Sequence, residues 1–204
     1  MSRKPEMDDA SARVPVLTTP RLLLTLPPPD AADRHLRFAE ENRAHLTPWE
    51  PPPAADHFTL GFWRERLRKN LIEHEKGLSV RFSIFWKDAP DGPVLGNCNF
   101  GNIVWGAFHC ATLGYRLAHA SEGRGVMTEA LSAALTHMFE DRGFHRIQAN
   151  YRPENARSAA VLRRLGFVVE GFARDYLFID GAWRDHILTS LTNPHMEGRP
   201  PRLA

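Results

Sequence analysis

The residues best suited to chemistry sit in one tight loop. Glu122-Gly123-Arg124-Gly125 follows the strand-like LGYRL and runs straight into the helical VMTEAL. Its two glycines permit a sharp turn and a close approach of backbone to a ligand. The helix starting near Val126 aims its unpaired N–H groups, and the positive end of its dipole, at the same place. That arrangement suits a pyrophosphate, and Arg124 adds charge. A lone Gly-x-Gly before a helix is weakly specific, and the same residues can form a plain turn. The dinucleotide fingerprint GxGxxG is absent because Thr128 holds its third glycine position, and no Gly-Lys-Ser/Thr marks a P-loop. Downstream, Asn155-Ala156-Arg157-Ser158 opens a short helix ending in Arg164-Leu165-Gly166-Phe167. Asn155 and Ser158 can be simple caps there, or the helix can present them to a ligand.

The elements that position these groups follow from periodicity and turn residues. VLTTPRLLLTL predicts one strand, and Asp30, after three prolines, is placed to cap a helix reaching about Arg43. The proline-rich stretch from His45 to Pro53 is expected to be non-helical. A second helix spans about Phe58–Glu75, with Phe62, Leu67, Leu71 and Ile72 on its apolar side. VRFSIFW, VLGNCNFGNIVW and FHCATLGYRL then read as three consecutive antiparallel strands. The helix from Val126 carries apolar residues as far as Phe139. HRIQANY is a strand, and the helix from Asn155 stops at Gly166. FVVEGFARDYLFI and WRDHILTSL form a hairpin about Asp180-Gly181. The order βαα-βββ-α-β-α-ββ defines a mixed α/β (α+β) domain over residues 15–193. Residues 1–14 read as a flexible tail and 194–204 as a second tail.

Composition narrows the classes. The 204 residues are 43% apolar and 25% charged, enough for one compact core without staples. No run approaches the ~18 apolar residues of a membrane span, and no apolar run follows the basic N-terminal residues. A net charge of +2, with signs interspersed, does not call for nucleic acid. Cys98 and Cys110 form no CxxC, so a reducing cytoplasm is the simplest compartment. The ten histidines form no HExxH; His35, His45, His137 and His145 read as surface or packing residues, and no metal is expected.

Glycine loop, helix, strand, Asn-x-x-Ser helix and Gly-Phe, in that order, resemble the acetyl-CoA-binding core of the GCN-five-related N-acetyltransferases, the GNAT superfamily. TPRLLL, HLTPWEP, FHCATLGY, GVMTEAL, HRIQANYRPEN, RSAAVLRRLGF and DYLFIDGAWRDHILTSL extend the likeness over about residues 16–193. They resemble the members that acetylate the N-terminal alanine of a ribosomal protein. The resemblance implies the GNAT fold: a mixed sheet of about seven strands, flanking helices and a splayed, V-shaped cofactor cleft. It implies that Tyr115, Arg116 and Leu117 offer backbone hydrogen bonds to the pantetheine arm. The loop Glu122, Gly123, Arg124, Gly125, Val126, Met127 and Thr128 would hold the pyrophosphate, with Asn150, Asn155 and Ser158 also at the cofactor. Acetyl-CoA is the implied donor, attacked directly by a free amine.

By the same resemblance Ser158 protonates the departing thiolate, because Leu162 stands where many relatives carry a tyrosine and cannot do so. Asn150 replaces the glutamate that serves as base in some relatives. The base then falls to Glu50 or to Asp175, which alternation puts on the same strand face as Leu177; either can equally be a solvated carboxylate. An α-amine has a pKa of ~7.7–8.0, so the demand on a base is modest. Trp49, Glu50 and Tyr115 are the expected acceptor-side contacts, although Trp49 can instead plug the core edge. Glu122 brings a carboxylate to a phosphate site, which is repulsive unless it turns toward Arg124 or Arg116. Two other readings stand beside this one. The same fold can acetylate a small amine, or the chain can be a non-catalytic CoA-binding or ribosome-associated module.

Overall fold

The computed structural model describes residues 14–196, so the expected tails lie outside the described residues except for Val14 and a 3₁₀ turn at Pro194–Met196. Strand β1 (Val16–Thr18) turns back on β2 (Leu22–Thr25). The single strand expected here is therefore two. Pro20 cannot donate to a ladder, and the Thr19 hydroxyl accepts from the Leu22 N–H at 2.8 Å to close the corner. Helix α1 (Ala32–Glu41) starts after a 3₁₀ turn at Pro29–Ala31. Asp30 lies inside that turn and caps nothing. The segment expected to be non-helical begins with helix α2 (Arg43–Leu46) and a 3₁₀ turn at Thr47–Trp49. Pro48 fits because an N–H is not needed in a first turn. The chain becomes extended only at Glu50.

Helix α3 (Leu60–Glu75) is capped by Thr59, whose hydroxyl accepts from the Phe62 N–H. Strands β3 (Val80–Trp86), β4 (Gly96–Val104) and β5 (Cys110–Leu117) pair antiparallel. Helix α4 (Val126–Thr136) gives way to a π-type turn at His137–Asp141, short of the α-helix expected to Phe139. Strand β6 (Arg146–Tyr151) and helix α5 (Ala156–Arg164) follow, with Gly166 just past α5 at φ +86°. Strands β7 (Val168–Ile179) and β8 (Ala182–Thr192) form the closing hairpin. Positive φ at both Asp180 and Gly181 gives the turn that matches strand twist. The sheet has eight strands, ordered β1-β2-β3-β4-β5-β6-β8-β7. No helix among the described residues is long and apolar enough to cross a membrane.

Alternation sorts β3–β5 into two unlike faces. Val80, Phe82, Ile84, Cys98, Phe100 and Leu113 join the main core with Val126, Ala130, Leu131 and Ala134 of α4. Residues one step out of phase face α1 and α3, where Trp63 and Leu67 form a smaller cluster with Ala32 and Ala39. β4 passes β5 so closely that a Cβ on Gly96 would lie 2.4 Å from the Arg116 carbonyl oxygen. Backbone cannot yield as a flexible side chain can. Gly96→Ala is therefore expected to destabilise the fold by roughly 1–3 kcal/mol, read as a lowered denaturation midpoint. An unchanged midpoint would mean that β5 is not seated so tightly.

Candidate active site

The site begins where a ladder stops. β5 and β6 run parallel and pair only at Cys110↔Arg146, Ala111↔Ile147 and Thr112↔Gln148. Beyond that point β5 stays on β4 as far as Leu117↔Gly96, while β6 stays on β8 as far as Tyr151↔Ile187. The strands splay, and the inner edge of β5 has no partner. The Arg116 carbonyl lies against β4 at Gly96. Alternation therefore turns the peptide groups of Tyr115 and Leu117, not Arg116, toward the gap. This corrects the expectation that three consecutive residues face it. The gap opens into a cleft of about 2030 Å³ that reaches from the glycine loop to α3 and the β7–β8 hairpin.

The glycine loop is held from outside. Gly123 and Gly125 have φ of +71° and +73°, which their lack of a Cβ permits. Arg21, at the β1–β2 corner, donates to the Arg124 carbonyl at 3.0 Å and grips Glu129 of α4 through its backbone N–H and guanidinium. Thr19 donates to the same carboxylate at 2.6 Å. No side chain caps α4. The N–H groups of its first turn, Val126 to Thr128, thus fit a diphosphate beside Gly123, which leaves open space where a Cβ would stand. Val126, Met127 and Thr128 all line the cleft, and the side chains of Val126 and Met127 also join the core. Arg124 lies over the Trp86 ring.

Glu122 does not turn to Arg124 or Arg116. It pairs with Arg157 at 2.6 Å, and His45 Nε2 and His119 Nδ1 lie 3.3 and 3.5 Å from it. The fold thus neutralises the carboxylate with side chains that sequence reasoning did not connect. His45, His119 and Glu122 bring ligand-capable atoms within 4.8 Å of one another, a grouping the sequence spacing did not suggest. Arg157 already occupies that carboxylate.

At the inner end of the cleft the Tyr115 hydroxyl lies 2.7 Å from Ser158 Oγ. Burial pushes the Tyr115 phenol up to about 12, outweighing its hydrogen bond to Ser158. Asn155 caps α5: its Oδ1 accepts from the Ser158 N–H at 3.0 Å and fixes the serine over the gap. Leu162 is buried in the core. Asn150 lines the cleft and donates to the Tyr176 hydroxyl at 3.0 Å.

Glu50 also lines the cleft, held by Arg116 Nη1 at 3.1 Å. Trp49 is half-buried there, under the Arg152 guanidinium, and belongs to no core cluster. Asp175 does not line the cleft. Between Ala173↔His186 and Leu177↔Arg184 the hairpin register slips, and Asp175 adopts φ +49°. That bulge breaks the alternation by which Asp175 was expected to share a face with Leu177.

The structure adds residues that the sequence did not single out. His57 lines the cleft among Phe58, Phe62 and Trp63, and burial, then Arg116, hold its pKa below the ordinary histidine value. It lies in a segment without periodicity, so no sequence signal marks it. Arg66 lines the same wall. Its signal was available: it stands one position before Leu67 on the helix assigned to this region.

Known proteins bear on this geometry. The acetyltransferase (GNAT) domain family matches residues 21–168. The ribosomal protein uS5-alanine N-acetyltransferase of Escherichia coli (strain K12) is 44% identical over 178 residues, covering 87% of this chain and 91% of that protein. The crystal structure of ribosomal-protein-S5-alanine acetyltransferase from Vibrio fischeri superposes with a TM-score of 0.83 at 36% identity, covering 88% of this chain and 97% of that one. Mycobacterium smegmatis RimJ in complex with CoA-disulfide gives a TM-score of 0.82 at 33% identity, covering 92% and 90%.

The raised Tyr115 pKa has a consequence for stability. A group whose pKa rises on folding stabilises the fold fully below its unfolded value, near 10, and loses that contribution as pH climbs through about 12. Unfolding free energy should therefore fall by roughly 2–3 kcal/mol between those pH values. Tyr115→Phe should flatten that part of the profile, whereas an identical slope in the variant would contradict the assignment.

Proposed function

The chain belongs to the acetyltransferase (GNAT) family, and on that premise we propose that it acetylates the N-terminal α-amine of a protein beginning with alanine, a ribosomal protein in the first instance. The observation that carries this reading is one continuous cleft that the Tyr115–Ser158 hydroxyl pair, the uncapped start of α4 and the Glu50 carboxylate all line. The 44% identity to the E. coli enzyme named for such an activity supports the acceptor class. The reading places the protein in the cytoplasm, with a polypeptide N-terminus rather than nucleic acid or membrane as its partner.

Acetyl-CoA supplies the acyl group as a thioester. The peptide groups of Tyr115 and Leu117 would hold its pantetheine arm, and residues Gly123 to Thr128 its pyrophosphate. Glu122, neutralised by Arg157, does not oppose them, and Asn155 serves chiefly by fixing Ser158. Attack by the amine is direct, with no acyl-enzyme. Cys98 is fully buried and desolvation pushes its thiol pKa far up. Cys110 is buried as well, and neither sulfur lines the cleft.

Glu50 draws in the cationic terminus and accepts its proton, directly or through water; Asp175, outside the cleft, has no part. With Tyr115 donating to Ser158 Oγ, the serine's own proton is free to reach the departing sulfur. Trp49 and Asn150 contact the acceptor and the inner cleft, respectively.

The test is acetyl transfer to peptides beginning with alanine, serine or methionine, beside an N-terminally blocked peptide and a panel of small amines. Turnover confined to free alanine-type termini is expected. Turnover confined to small amines would overturn the acceptor assignment. Ser158→Ala is expected to lower kcat by ~10²-fold while leaving the KM for acetyl-CoA near its original value. Glu50→Gln should raise the KM for peptide more than the KM for acetyl-CoA, and equal effects on both would remove Glu50 from the acceptor side.

A further inference from the structure

The sheet face opposite α4 is polar where it should be greasy. On β3–β5 the residues turned toward α3 include Arg81, Asn97, Asn99 and Arg116, all of which line the cleft. A sheet face covered by a helix is ordinarily apolar. Gly114 leaves open space above the strand, with no atom within 4 Å of where its Cβ would stand. From α3, Arg66 and Asn70 reach the same cleft. The result is a polar chamber on the far side of the sheet from the helix that starts at the glycine loop.

Its charges do not balance. Arg116 is taken by Glu50, and Arg81 approaches Glu73 at 3.4 Å. The Glu73 oxygens also face Ser79 and Lys69. Arg66, half-buried, has no hydrogen bond and no carboxylate within 4.0 Å among the described residues. Burial, then Arg81, hold its pKa below the ordinary arginine value; Glu73, beyond ion-pair distance, opposes them only in part. Three further polar atoms of this wall are buried without a partner: Trp63 Nε1, Asn70 Oδ1 and Arg116 Nε. Trp63 itself is only 5% exposed. Unsatisfied buried groups are costly, and two of these three are donors.

We propose that this chamber is the subsite for an acidic side chain of the acceptor, carried within the first few residues after the acetylated one. The proposal rests on the reading that the acceptor is a polypeptide N-terminus. A half-buried guanidinium with no directly paired carboxylate calls for one anion, and its planar fork suits a carboxylate better than an amide. With Arg81 and Arg116 paired to Glu73 and Glu50, the remaining positive charge is that of Arg66, and a basic residue placed beside it is disfavoured.

The test is a set of peptides with N-terminal alanine and glutamate, glutamine or lysine placed in turn at the second, third and fourth positions. Glutamate at one of these positions should lower KM by about tenfold relative to glutamine, the size of one charge-assisted hydrogen bond, and lysine should be worse than either. Arg66→Gln should erase the difference between glutamate and glutamine, and Arg66→Glu should shift the preference toward lysine. Thermal unfolding of both variants checks that they fold. Equal KM for glutamate and glutamine peptides in the original protein, or a preference that survives Arg66→Gln in a folded variant, would overturn the subsite. Failure of the underlying reading would look different: no peptide would turn over whatever its charge, and the subsite would fall with it.

Discussion

Everything at this site depends on the early divergence of β5 from β6. A parallel ladder that continued past Thr112↔Gln148 would satisfy the peptide groups of Tyr115 and Leu117 and close the sheet. Past that point β5 stays on β4 and β6 stays on β8 while the two strands move apart. Gly96 lets β4 hold β5 at closest approach, which fixes the outer edge of β5 and with it the direction of the inner one. The unpaired edge is thus a built feature, and the cleft forms around it.

The flanking elements supply two kinds of charge control. At the glycine loop the Arg21–Glu129 grip fixes the backbone from outside, leaving the first turn of α4 uncapped for an anion. Glu122, which alone would repel that anion, is spent on Arg157 and two histidines. On the acceptor side Arg116 anchors Glu50, packs near the Phe38 and Trp63 rings, and lowers the basicity of His57. One arginine therefore orders a wall to which α1, α3 and the Glu50 segment all contribute. Burial raises the pKa of the Tyr115 phenol further above neutral pH beside Ser158.

How legible this was in the sequence varied with the range of the interaction. The strand–loop–helix signal at Gly123 and Gly125, the Asn155 cap and the Asp180-Gly181 hairpin are local, and each stands where turn chemistry put it. The split at Pro20 was legible in principle, since proline ends a ladder, but an apolar run on both sides masked it. The 3₁₀ turn at Thr47–Trp49 hid behind a proline rule that does not apply to the first turn of a helix. What no local pattern encodes is pairing across the chain. Glu122 with Arg157, Glu50 with Arg116 and Tyr115 with Ser158 join residues far apart in sequence, and the Asp175 bulge is a register slip that strict alternation conceals. Residue types at the site could be named in advance, whereas their partners, and with them their roles, required the fold.

The most direct measurement is amide hydrogen exchange across β5 and the start of α4, with and without acetyl-CoA. The account predicts that acetyl-CoA slows exchange at Tyr115 and Leu117 and at Val126 to Thr128 while leaving Ala111, already in the ladder, little changed. Exchange at Tyr115 and Leu117 that is the same in both conditions, despite saturating acetyl-CoA, would contradict it, because the splayed edge would then not be where the donor lies.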